Sequence, residues 1–128
     1  MNAELTLLVY SVILTFLIIM VPALAGILQN GLATQAAARD GLPEPTVFAK
    51  RARRLQDNMI ENMVLFVPLV LVAQAAGVSN ADTVMGAQLF FWARVAHAGI
   101  YLAGIPWLRP AAWAVSVVGM IMIAAALL

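Results

Sequence analysis

The chain has 128 residues, of which 64% are hydrophobic and 10% are charged, and its mean hydropathy is +0.97. These values lie far outside the range of soluble domains and predict a single domain that has the lipid bilayer as its solvent. A net charge of +1 argues against a nucleic-acid partner, and the absence of cysteine excludes disulfides, thiolate metal sites and a cysteine nucleophile.

Four apolar stretches are long enough to cross a hydrocarbon core of about 30 Å, which takes about 20 helical residues. They predict an all-α, integral membrane four-helix bundle, with helices roughly over residues 5–28, 46–76, 84–103 and 110–128 of a single domain spanning 1–128. The first stretch has one alternative, a secretory signal ending at Ala23-Leu24-Ala25, but Glu4 stands where such a signal has a basic residue.

The first connection, residues 29–50, is the longest polar segment. Its core, Arg39-Asp40-Gly41-Leu42-Pro43-Glu44-Pro45, is rich in turn-forming residues and predicts a loop rather than a folded unit. Thr46 is a residue type that caps helix N-termini, so the second helix is predicted to begin there. The polar residues that follow predict that this helix starts in the cytoplasm and enters the bilayer near Met59.

Basic residues fall in two of the three connections. They are Arg39, Lys50, Arg51, Arg53 and Arg54 in the first connection and the polar start of the helix that follows it, and Arg109 in the third connection. The second connection, residues 77–83, carries Asp82 and no Lys or Arg. By the positive-inside rule, the first and third connections of this multi-pass protein are predicted to lie in the cytoplasm, with both termini outside.

Polar side chains of the second and third helices repeat at helical spacing. On the second helix they are Arg51, Arg54, Asn58 and Glu61, at i, i+3, i+7 and i+10, and on the third they are Arg94, His97 and Tyr101, at i, i+3 and i+7. This spacing places each set on one helix face. The alternatives are structural: a lone histidine is usually packed between helices, and a lone tyrosine usually lies at the membrane interface.

Arg94 lies close to the membrane midplane, where an unpaired charge is unfavourable by about 2.5 to over 10 kcal/mol. It is therefore expected to face the bundle interior and to have a partner. Glu61 is the only acidic residue in the membrane portion of the second helix, so an ion pair between Glu61 and Arg94 is predicted. Lys50 and Arg53 fall off the polar face and are interpreted as topology signals and anchors for lipid headgroups.

Three segments together carry a family resemblance. They are Ala38-Arg39-Asp40-Gly41-Leu42-Pro43, then Arg51-Ala52-Arg53-Arg54 with Asn58 and Glu61-Asn62, then Ala93-Arg94-Val95-Ala96-His97 with Tyr101-Leu102. In this combination and over its whole length, the chain resembles the MAPEG family, membrane-associated proteins in eicosanoid and glutathione metabolism. It is most similar to the small bacterial, microsomal glutathione transferase-like members.

The resemblance implies a homotrimer that binds glutathione between neighbouring subunits, near the cytoplasmic side of a bacterial inner membrane. It implies that the glutathione site includes Arg51, Arg54, Asn58 and Glu61 from the second helix and Arg94, His97 and Tyr101 from the third. Arg109 resembles the catalytic arginine that holds the glutathione sulfur as a thiolate in several members.

The implied function is that of a glutathione S-transferase or peroxidase, acting on a lipophilic electrophile or a lipid hydroperoxide that arrives from the bilayer. Two departures from the family pattern, Asp57 in place of a basic residue and Pro110 in place of a serine, keep an alternative open. That alternative is a non-catalytic trimer that binds lipid or acts as a scaffold. A third reading is a small transporter or channel subunit.

Overall fold

The computed structural model describes all 128 residues and contains only helices. They are α1 (Ala3–Asn30), α2 (Leu32–Ala36), α3 (Val47–Ala75), α4 (Ala81–Ala103) and α5 (Leu108–Leu127). The predicted all-α membrane fold is confirmed. The short α2 lies in the first connection, before the predicted loop core, and was not expected from the sequence. It follows α1 directly, because Gly31 takes a φ of 81° and turns the chain between the two helices.

Side chains cap the N-termini of α1, α3 and α4. The predicted cap at Thr46 is confirmed, since its hydroxyl accepts a hydrogen bond from the Ala49 backbone N–H at 3.1 Å. Asn80 accepts from the second and third residues of α4, and Thr83 returns a hydrogen bond to the Asn80 backbone, which forms a capping box. These caps fix where α3 and α4 begin and hence the register of their polar residues.

Three helices, α1, α3 and α5, are long and apolar enough to cross a membrane. The remaining long helix, α4, has 23 residues and buries the polar side chains of Thr83, Arg94 and His97 inside the bundle. Only 25 of the 128 residues are buried in the single chain, so most apolar side chains face outward. In a membrane protein that outer surface contacts lipid or other subunits.

The core lies between the four long helices, α1, α3, α4 and α5. The rings of Phe66 and Phe90 stack with their centroids 3.8 Å apart, and both side chains are fully buried. Gly86 on α4 faces Gly119 on α5 so closely that a Cβ added to Gly86 would lie 2.5 Å from the Gly119 carbonyl oxygen. This backbone contact makes α4 and α5 the most closely packed pair of helices.

Both basic connections lie at one end of the bundle, which we call the basic end. A guanidinium nitrogen of Arg51, near the start of α3, donates to the Leu102 carbonyl at the end of α4, at 3.2 Å. At the opposite end the buried carboxylate of Glu4 accepts hydrogen bonds from Ser79 at 2.9 Å and Thr83 at 3.4 Å. That network ties the start of α1 to the start of α4.

Candidate functional site

Arg94 occupies the centre of the site and is 1% exposed. Its Nη2 donates to Asn58 Oδ1 on α3 at 2.5 Å, and its Nη1 donates to Ser116 Oγ on α5 at 3.4 Å. Its Nε is buried and has no hydrogen-bond partner. One guanidinium therefore connects three helices and retains an unused donor.

The predicted ion pair between Glu61 and Arg94 is wrong for the single chain. Glu61 is exposed, and the only ion pair in the structure joins Lys50 and Glu44. Three residues of helix advance the direction of a side chain by about 300°, so Glu61 lies at the outer edge of the polar face while Asn58 lies nearer its centre. The shorter Asn58 amide is therefore the group that meets Arg94.

The Asn58 amide is itself held in place by Asn62, one helical turn further along α3. Asn62 Nδ2 donates to the Asn58 backbone carbonyl at 2.8 Å and lies 3.4 Å from Asn58 Oδ1. Asn62 is buried, in agreement with a structural role. The Asn58 oxygen is thus oriented toward donors from both α3 and α4.

His97 lies one turn beyond Arg94 on α4 and is 2% exposed. Its Nδ1 is buried without a hydrogen-bond partner, and its ring centroid is 5.4 Å from that of Tyr101. The guanidinium carbon of Arg109 lies over the Tyr101 ring, 4.8 Å from its centroid. Arg109 on α5 is therefore brought to the polar face of α4 by a cation–π contact.

Arg51 is half-buried beside the turn that follows α4. Gly104 caps α4 with a φ of 76°, and a Cβ at this position would lie 3.0 Å from the Arg51 guanidinium carbon. A side chain at Gly104 would be strained and would also press on Arg51. Glycine here lets the guanidinium reach the Leu102 carbonyl.

The predicted site residues thus divide into two sets. The inner set is buried or half-buried and comprises Arg51, Asn58, Arg94, His97, Tyr101 and Arg109. The outer set consists of Arg54 and Glu61, which are exposed on α3. No carboxylate pairs with any arginine of the inner set. Three guanidinium groups without a counter-ion form a site that favours an anionic ligand.

The sequence analysis did not identify Ser116 and Gly104 as parts of this site, and it gave Asn62 only as part of the family resemblance. The Ser116 hydroxyl on α5 accepts a hydrogen bond from Arg94. A hydroxyl within an apolar segment was the available signal, since polar side chains in a span usually face a partner. Nothing in the sequence alone related Gly104 to Arg51.

Fold and site together define a helical, multi-pass membrane protein with one buried and two half-buried arginines that have no carboxylate partner. The sequence model of the MAPEG family matches residues 7–128, so the chain belongs to the MAPEG family. This is a helical membrane family that includes glutathione transferases and related enzymes. Comparison with curated proteins gave no match, and comparison with solved structures gave none either.

Proposed function

We propose that this protein is a membrane-bound, glutathione-dependent transferase or peroxidase that binds glutathione at the inner and outer sets described above. The observation that carries this proposal is the group of three arginines without a carboxylate partner, Arg51, Arg94 and Arg109. Glutathione is a net anion with two carboxylates, one ammonium and a thiol. Membership of a family that contains glutathione transferases supports the same ligand.

The outer set fits the charged groups of the tripeptide. The Arg54 fork suits a carboxylate, and the Glu61 carboxylate suits the ammonium. Both side chains are exposed on a helix that crosses the membrane, where a charge is expected to face protein or a hydrated cleft rather than lipid. A homotrimer that covers this face with a neighbouring subunit satisfies that requirement, with the basic end in the cytoplasm of a bacterial inner membrane.

Arg109 is proposed to hold the sulfur. A cation near the sulfur favours the thiolate, which is the nucleophilic form. In transfer, the sulfur forms a bond to an electrophilic carbon of a lipophilic substrate, and the leaving group departs with the bonding electrons. In peroxide reduction, the sulfur takes one oxygen of a lipid hydroperoxide to give a sulfenic acid, the alkoxide takes up a proton, and a second glutathione then yields disulfide and water.

Binding and thiolate formation can be measured separately. Calorimetry of the detergent-purified protein gives the affinity for glutathione, and ultraviolet absorbance near neutral pH reports the thiolate. Loss of a charge-assisted hydrogen bond in Arg54→Ala is expected to weaken binding by about 10- to 100-fold, which corresponds to about 1.5–3 kcal/mol. Arg109→Ala is expected to lose mainly the thiolate absorbance.

Gln74→Ala is the control, because Gln74 lies at the opposite end of the bundle and bonds only to Asn2. It should leave both signals unchanged. If the wild-type protein neither binds glutathione nor shows thiolate absorbance, the proposal fails. The non-catalytic, lipid-binding alternative then becomes the better account.

A further inference from the structure

A second basic site lies at the basic end and shares only Arg54 with the two sets described above. The last turns of α1, the first connection and the start of α3 enclose a cavity of about 580 Å³. Its lining includes Arg39, Lys50, Arg53 and Arg54. Glu44 is the only acidic residue among the lining side chains.

The walls of this cavity are held by specific hydrogen bonds. Gln29 Nε2 donates to the Glu44 carbonyl at 3.0 Å, which folds the first connection back onto the end of α1. Arg39 Nε donates to the Gln35 carbonyl at 3.0 Å, and Asn30 donates to the Gln35 side chain at 3.1 Å. The connection is therefore a shaped wall and not an open loop.

The charges in the cavity are not balanced. Lys50 and Glu44 neutralise each other through an ion pair of 2.5 Å. Arg39 and Arg53 have no carboxylate partner, and both also line a smaller neighbouring cavity of about 220 Å³. Two guanidinium groups without a carboxylate partner therefore border the same space, which suits a phosphate group.

An apolar groove of about 500 Å³ adjoins the basic cavity, and Gln29 borders both. Its walls are mainly Leu24, Leu28 and Phe48, all of which are exposed in the single chain. The groove runs along the end of α1, on the apolar side of the basic cavity. A binding site with a cationic part and an adjoining apolar part fits an amphiphile with an anionic head.

We propose that this combined site binds an anionic glycerophospholipid, with its phosphate between Arg39 and Arg53 and one acyl chain against Leu28 and Phe48. The proposal does not depend on glutathione, because neither arginine belongs to the glutathione site. It is more specific than a general attraction of basic loops to lipid headgroups, because it places one lipid molecule in the basic cavity and the adjoining apolar groove. A diffuse attraction would not depend on Phe48.

Native mass spectrometry of delipidated protein in neutral detergent tests the proposal. The ligands are phosphatidylglycerol, phosphatidylcholine with the same chains, dihexanoyl phosphatidylglycerol and inorganic phosphate. A basic residue near the headgroups contributes about 1 kcal/mol, so Arg53→Gln and Arg39→Gln should each weaken phosphatidylglycerol binding about fivefold. Phe48→Ser should weaken the long-chain lipid more than the short-chain lipid.

Two variants serve as controls. Gln74→Glu changes the net charge by the same amount as Arg53→Gln but at the opposite end, and it should leave binding unchanged. Arg53→Lys keeps the charge and should retain most of the affinity for phosphatidylglycerol. Weaker binding by Arg53→Gln but not by Arg53→Lys would therefore reflect the lost charge and not misfolding.

Equal binding of phosphatidylglycerol and phosphatidylcholine would overturn the proposal, and so would equal effects of Arg53→Gln and Gln74→Glu. Inorganic phosphate that binds as tightly as the lipid would show a site for free anions instead. A change of subunit number in Phe48→Ser, with lipid binding intact, would show that a second copy of the chain covers the groove.

Discussion

Replacement of Asn58 by leucine removes the closer of the two hydrogen-bond partners of Arg94. Only Ser116 would remain, at 3.4 Å from a guanidinium that is 1% exposed. Hydrogen bonds to charged groups contribute about 1.5–3 kcal/mol, whereas interhelical hydrogen bonds in membranes average about 0.6 and reach about 1.7 kcal/mol. Because the donor is charged and fully buried, Asn58→Leu is expected to lower the free energy of unfolding by about 1.5–3 kcal/mol.

A double-mutant cycle isolates the contact between the two side chains. The cycle compares wild type, Asn58→Leu, Arg94→Met and the double variant, with reversible unfolding in mixed detergent followed by tryptophan fluorescence. The expected coupling between Asn58 and Arg94 is about 1.5 kcal/mol, because leucine no longer leaves a buried charge without its acceptor once Arg94 is absent.

The matched cycle replaces Asn58→Leu by Glu61→Gln. Glu61 is exposed and does not pair with Arg94, so the two substitutions should be additive within about 0.5 kcal/mol. A large coupling for Glu61 together with none for Asn58 would refute the reasoning, since it would show that the carboxylate is the partner of Arg94 in the folded protein.

Two further predictions concern packing and charge. Gly119→Ala is expected to destabilise the fold by about 1–3 kcal/mol in the same unfolding assay, because its Cβ would meet the Gly86 backbone. Gly99→Ala is the control and should be neutral or stabilising, since a Cβ at Gly99 faces open space. Equal effects of the two substitutions would contradict the close contact of α4 and α5. Lys50 lowers the pKa of Glu44 from its ordinary 4.5, so this pair stabilises the fold above that pH and the contribution is lost as the pH falls through the lowered value. Lys50→Gln should return the Glu44 pKa to its ordinary value in carboxyl NMR titrations, and an unchanged titration would argue against the ion pair.

Apolar length and helical spacing were sufficient to predict the membrane fold and to place Asn58, Arg94, His97 and Tyr101 on facing polar surfaces. Those features depend on local sequence, since the period of a helix fixes which side chains share a face. The partner of Arg94 could not be predicted in the same way. It depends on how far α3 is rotated toward α4, and that rotation is set by packing contacts such as the stack of Phe66 on Phe90.

The first connection shows where sequence patterns give least information. Turn-forming residues correctly indicate an irregular path around Gly41, but the hydrogen bonds that give the connection its shape join residues far apart in the chain. The bond from Gln29 to the Glu44 carbonyl spans 15 positions and has no periodic signal. For the same reason, the basic cavity could not be anticipated from the charges of Arg39 and Arg53.

The buried charge of Arg94 is better explained by binding than by stability. An apolar side chain in place of a buried charge is often neutral or stabilising, whereas Arg94 keeps an unpaired Nε and lies near the unpaired Nδ1 of His97. The double variant of the first cycle separates binding from stability as the role of Arg94. It removes both Asn58 and Arg94, so no buried charge is left without a hydrogen-bond acceptor. If it unfolds like the wild-type protein yet no longer binds glutathione, the guanidinium is retained for the ligand; if it unfolds far more easily, Arg94 is a structural link among three helices.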